Sequence, residues 1–309
     1  MKIHILNLAN KKNEIANAAV WLLLSGFFAI FYWQTVLGLD VDWLQNRFYE
    51  ILNGNADSPY NYRLLVPSLF NLVDSLSPLQ TKHDYFIATF MVFLFSIGSL
   101  MKAISFSISK RSSVIALLFS SFFILLTLPM GGEQPWSYVD IGIYSLAYLA
   151  MIREWSTLAY IFILFLALLN RETGILLCLV PILTQLMTSG LNQSFKLYKN
   201  EIIILSSGIT FFIGSRVFQG SATHVNTVAE VFLRNFTPEV FIINLIVYGG
   251  AFCWFFMGMR LKFSKTEKAF LIILFINVAF ILFFGIFREI RMFVPYVFLF
   301  GILFSRKIQ

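Results

Sequence analysis

The chain has 309 residues, 58% of them hydrophobic and 13% charged, with a mean hydropathy of +0.77. A soluble domain carries roughly 25% charged residues. The deficit and the long apolar runs exclude an ordinary soluble domain and predict an all-α, polytopic integral membrane protein. Alternating-polarity segments of about ten residues, the mark of an outer-membrane barrel, are absent.

The first apolar segment begins near Ala18. It runs for about twenty residues with no small-residue cleavage site after it, so it reads as a retained helix, not a signal peptide. About ten membrane helices follow from length and hydropathy: 17–38, 84–108, 112–130, 139–152, 155–170, 172–189, 200–217, 239–259, 267–287 and 291–305. The fourth, fifth and tenth are short. Two further helices are predicted at the outer interface, an amphipathic one over 42–53 and a short apolar one over 64–77 that contains Pro67 and Asp74. Residues 1–309 form one membrane domain, with a first outer loop at 39–83 and a second at 218–238.

Charge orients this layout. With the N-terminus in the cytoplasm, 15 of the 23 Lys and Arg residues fall on inner ends, and 12 of the 16 Asp and Glu residues on outer ones. That is the positive-inside pattern. It places the protein in the cell (inner) membrane with both termini cytoplasmic. The net charge of +7 is thereby a record of topology, and no nucleic-acid partner is implied.

Charges beside apolar segments are costly, about 2.5–3.5 kcal/mol at mid-helix depth, so those on the outer side are the functional candidates. Asp40 and Asp42 follow the first helix. Either caps the helix 42–53, whose Trp43, Leu44, Phe48, Ile51 and Leu52 share a face, or acts as a carboxylate that takes a proton from an acceptor hydroxyl. Tyr60, Tyr62 and Arg63 open the helix 64–77, as interfacial anchors or as groups for a sugar and a phosphate. Glu133, Trp136 and Asp140 lie in GGEQPWSYVDIG, where Trp136 is an aromatic platform and Asp140 begins the next helix.

Arg171 and Glu172 form an Asn-Arg-Glu-Thr corner between two apolar segments, readable as a local ion pair capped by Thr173 or as the wall of a polar cavity. His224 sits in the second outer loop. Arg288, Glu289 and Arg291 belong to REIRMFVPY, and the two arginines, three apart, share a helix face suited to a phosphate. Cys178 and Cys253 lie inside apolar segments and read as packing residues. No Cys/His group has metal-ligand spacing, and a divalent metal is left open.

Asp40 and Asp42, an amphipathic outer helix, and then Asn53, Gly54, Pro59, Tyr60, Tyr62, Arg63 and Pro67 together resemble the first outer loop of GT-C-type polytopic membrane glycosyltransferases. The Arg171-Glu172 corner and Glu289, Arg291 and Pro295 are similar to later motifs of bacterial members. The resemblance covers most of the chain as topology and a few short stretches as motif. It implies transfer of a sugar from a polyprenyl-phosphate-linked donor to a glycan, lipid or protein acceptor on the non-cytoplasmic face. The displacement would be inverting, with an acid of the first outer loop as base and arginines on the phosphate. Asp40 is favoured as that base because it lies nearest the membrane. A soluble C-terminal domain of the kind many larger members carry is not expected within these residues.

Two other functions compete. A polysaccharide polymerase or ligase acting on lipid-linked oligosaccharides fits the topology, but the 218–238 loop is short and poor in arginine. A lipid-linked sugar transporter or flippase would be expected to show internal repeats and charges at the bilayer midplane, and neither stands out.

Overall fold

The computed structural model describes residues 2–37, 41–56, 63–77, 81–128, 135–189, 198–219, 263–284 and 290–308, together with Tyr60, Leu79, Leu233 and Thr237. Every regular element among them is helical. In chain order they are α1 (Lys2–Tyr32), extended by a π-helical turn (Trp33–Leu37), α2 (Val41–Leu52), α3 (Leu65–Leu76), α4 (Thr81–Ser107), α5 (Lys110–Thr127), α6 (Trp136–Ile152) and α7 (Thr157–Asn170). A 3-10 helix (Glu172–Cys178) leads into α8 (Leu179–Ser189). Then come α9 (Lys199–Gln219), α10 (Lys265–Phe284), a second 3-10 helix (Ile290–Tyr296) and α11 (Val297–Ile308).

Among the described residues, four helical segments are long and apolar enough to cross a membrane: Glu14–Thr35, Thr81–Ser107, Lys110–Thr127 and Glu172–Ser189. The described residues do not confirm the expected count of about ten. α6 and α7 have 17 and 14 residues. At about 1.5 Å per residue both fall short of a hydrocarbon core of roughly 30 Å. The predicted span 239–259 lies outside the described residues.

Local chemistry sets the helix ends. Ser109 begins α5 by accepting from the Ser112 amide at 3.4 Å, and Ser156 begins α7 by accepting from the Ala159 amide at 3.3 Å. At α10, Ser264 and Glu267 reciprocate: the Glu267 amide donates to Ser264 Oγ at 3.2 Å, and the Ser264 amide donates to Glu267 Oε2 at 2.8 Å. This is a capping box. Gly54, at φ 71°, follows the end of α2 in a left-handed conformation that favours glycine.

α6 is the axis of the molecule. It packs against α4, α7 and the 290–296 turn, and nearly every side chain from Trp136 to Ala150 is buried. A helix that is apolar all round belongs in an interior. Its approach to α4 depends on Gly142, where a β-carbon would overlap the Phe95 ring. Ser96 of α4 donates to the Tyr138 carbonyl of α6 at 2.7 Å and fixes their register. α5 and α11 meet as closely: at Gly301 a β-carbon would stand 2.7 Å from the Ala116 carbonyl oxygen.

A satisfied ionic clamp closes one end of the bundle. Arg306 of α11 donates to both carboxylate oxygens of Glu267, at 2.9 and 2.8 Å, and to the Ser107 carbonyl at 3.2 Å. Tyr148 OH of α6 donates to Glu267 Oε1 at 3.0 Å. Three helices, α6, α10 and α11, are thereby joined through one carboxylate whose side chain is 2% exposed, and Arg306 extends the tie to the end of α4.

Candidate functional site

The opposite end of α6 holds a second charged cluster, built around the corner that follows α7. The apolar helix α7 stops because Arg171 adopts an extended backbone, φ −161° and ψ 147°. The chain then folds back over its own helix end. At Gly174 a β-carbon would lie 2.6 Å from the backbone carbonyl carbon and oxygen of Ala167, so only glycine fits. The Arg171 amide donates to the Ala167 carbonyl at 2.8 Å, and the Gly174 amide to the Arg171 carbonyl at 3.0 Å.

This corner sends Arg171 and Glu172 to different partners. Arg171 reaches α6, where Nη2 donates to Ser137 Oγ at 2.9 Å and Nη1 stands 3.5 Å from Asp140 Oδ2. Glu172 Oε2 stands 3.7 Å from Arg63 Nη2, just ahead of α3. Asn170, the last residue of α7, donates from Nδ2 to Asp140 Oδ1 at 2.6 Å and to the Trp136 carbonyl at 2.8 Å. Asn170, Arg171 and Asp140 are all no more than 2% exposed. The expected local Arg171–Glu172 pair with a Thr173 cap is therefore not formed. Thr173 offers its carbonyl to Tyr144 OH at 3.1 Å instead.

Aromatic rings hold the guanidinium groups. Arg63 lies over Tyr60 at 4.8 Å and over Trp136 at 5.2 Å from the ring centroids, and Arg47 lies over Tyr60 at 4.4 Å. Arg47 is itself paired with Glu50 at 2.9 Å. Trp136 is 1% exposed and also meets Phe48 and Tyr60. The aromatic platform expected at Trp136 is thus a buried support, because Arg63 covers its ring.

Asp140 does not begin its helix either. α6 starts at Trp136 behind Pro135, and Asp140 lies one turn further in, where it meets the α7 corner. One turn beyond Asp140, Tyr144 packs edge-on against Tyr296 at 5.2 Å. The second 3-10 helix thereby comes against α6 just beneath the cluster.

Several buried atoms of the cluster make no hydrogen bond: Asp140 Oδ2, Glu172 Oε1, Asn170 Oδ1 and Arg171 Nε. A buried polar atom left in that state is costly. The four atoms comprise three acceptors and one donor that the protein itself leaves unused. Among the described residues no group of three His, Cys, Asp or Glu side chains is gathered for a metal ion.

The remaining candidates are placed as follows. Asp42 lies exposed in the first turn of α2, whose buried face is Val41, Leu44, Phe48 and Ile51, while Trp43 and Leu52 of the expected face are partly solvent-facing. Asp40, Tyr62, Glu133, His224, Arg288 and Glu289 lie outside the described residues, and of Arg291 only the helical backbone is described. Sequence reasoning singled out Arg63, Asp140, Arg171 and Glu172 but not Asn170 or Ser137. The one signal for Asn170 was an amide closing an apolar run beside two charges.

Comparison of the chain with known protein families, with curated proteins and with solved structures gives no match.

Proposed function

We propose that the chain is a polytopic membrane glycosyltransferase of about ten spans, in the inner membrane with both termini cytoplasmic. It transfers a sugar from a polyprenyl-phosphate-linked donor to an acceptor on the non-cytoplasmic face. The observation that carries this reading is the convergence of Arg63, Glu172, Asp140, Arg171 and Asn170 at one end of α6. Positive-inside counting assigns that end to the outside. Buried carboxylate, amide and guanidinium groups with unmade hydrogen bonds suit a polyhydroxylated substrate better than an ion or an apolar solute.

The chemistry follows from the electron count. An acceptor hydroxyl oxygen attacks the anomeric carbon, the bond from that carbon to the phosphate oxygen breaks, and polyprenyl phosphate departs with the electron pair. The hydroxyl proton passes to a carboxylate. Asp140 and Glu172 each face an arginine, so they orient substrate, and the base falls to an acid of the first outer loop, Asp40 before Asp42. Arg288 and Arg291, sharing a helix face by spacing, are assigned to the phosphate.

The test is transfer of a labelled sugar from a lipid-linked donor in proteoliposomes containing the purified chain. Appearance of one added sugar on an acceptor supports the reading. A ladder of products points to a polymerase. Movement of the labelled lipid between leaflets without any transfer points to a transporter.

A further inference from the structure

The charges of the cluster cancel in pairs, and this bears on which part of a substrate it receives. Arg171 faces Asp140, and Arg63 faces Glu172. A phosphate set on either guanidinium would meet a carboxylate at the same site, and like charges held close in a low-dielectric interior repel strongly. Both ion pairs, at 3.5 and 3.7 Å, are also longer than the roughly 2.7–2.9 Å of a charge-assisted hydrogen bond. Asp140 Oδ2 meets Arg171 only at that longer distance, and Glu172 Oε1 makes no hydrogen bond.

The unfilled atoms describe the complementary group. Asp140 Oδ2, Glu172 Oε1 and Asn170 Oδ1 call for donors, and Arg171 Nε calls for an acceptor. A hydroxyl supplies both. The acceptors come from three directions, α6, the end of α7 and the turn after it, so several hydroxyls on one rigid frame match them better than a single one.

We infer that this cluster is the subsite for an uncharged polyhydroxylated ring, a neutral monosaccharide unit, and that the anionic phosphate of the donor is held elsewhere. The inference rests on the glycosyltransferase reading above and narrows it to neutral sugars.

The full chain in lipid nanodiscs tests this by thermal unfolding against a panel of neutral methyl glycosides, the matching uronic acids and inorganic phosphate. At least one neutral glycoside should raise the melting temperature in a saturable way, with no response to its uronic acid or to phosphate. Asp140→Asn should weaken that glycoside by about tenfold or more. Asn170→Ser, which keeps a small polar group, supplies the same comparison if Asp140→Asn does not fold. Protection by phosphate or by a uronic acid that is lost in Arg171→Gln overturns the inference, as does the lack of protection by every neutral glycoside. Sugar transfer is scored on the same preparations. Transfer with phosphate protection sinks the neutral subsite and leaves the enzyme standing, whereas glycoside protection without any transfer sinks the enzyme.

Discussion

Arg171 and Glu172 adjoin in the chain, yet each pairs with a residue from a different helix region: Arg171 with Asp140 at 3.5 Å and Glu172 with Arg63 at 3.7 Å. The corner between α7 and the 3-10 helix therefore acts as a two-way bracket, and its integrity governs the geometry of the cluster.

Breaking one side of the bracket leaves a charge buried alone. Asp140→Ala should destabilise the protein by about 3–5 kcal/mol, because Arg171 loses its carboxylate in a water-poor site. Asp140→Leu combined with Arg171→Met should recover most of that loss while sugar transfer stays absent. Thermal unfolding in detergent and transfer assays on the two single variants and the double variant check this. A double variant as unstable as Asp140→Ala would refute the pairing.

Arg63 is positioned by planar contact as well as by charge. Arg63→Lys keeps the charge but loses the guanidinium plane over Tyr60 and Trp136, each contact worth about 0.5–2 kcal/mol. Activity should fall about tenfold or more with the fold retained. Full activity in Arg63→Lys would show that charge alone suffices.

Two glycines tolerate no side chain. Gly174→Ala forces a methyl group against the Ala167 backbone, and Gly301→Ala does the same against the Ala116 carbonyl. Each should cost about 1–3 kcal/mol from overpacking. The consequences differ: Gly174→Ala should also abolish transfer, while Gly301→Ala, away from the cluster, should lower the melting temperature and leave specific activity in the surviving protein near wild type.

The clamp at the other end is structural. Glu267→Ala removes a carboxylate held by Arg306, Tyr148 and a capping amide. It should destabilise by about 3–5 kcal/mol. Tyr148→Phe, which deletes the hydrogen bonds of its hydroxyl to Glu267 Oε1 and Ser107 Oγ, should cost about 1–3 kcal/mol. Unfolding curves of the two variants separate these magnitudes.

The base is assigned by comparing two acids. Asp40→Asn should abolish transfer, and Asp42→Asn, at an exposed position in the first turn of α2, should retain it with stability within about 0.5 kcal/mol of wild type. Loss of transfer in Asp42→Asn alone would move the base to Asp42.

The helical elements were legible in the sequence because their signals are local. Apolar length marked α1, α4 and α5, and spacing of Leu44, Phe48 and Ile51 marked the buried face of α2. The members of the cluster were legible one by one, as charges where charge is expensive. Their pairing was not. Arg63 and Glu172 are far apart in the chain, and only the fold brings them together. The local Arg171–Glu172 pairing failed because Gly174 lets the backbone turn back on α7. The burial of Trp136 is not legible, because nothing local shows that an arginine from another segment covers its ring. Asn170 carried too weak a signal, since an amide after an apolar run reads as a helix end.

Asp140 and Tyr148 stand eight residues apart on α6, a rise of about 12 Å. One is tied to the α7 corner and the other to α10 through Glu267. Sliding or turning this helix would break both ties at once. α6 is therefore pinned at both ends by its neighbours, whereas the α2–α3 side meets the cluster through Arg63, over the Tyr60 and Trp136 rings and 3.7 Å from Glu172.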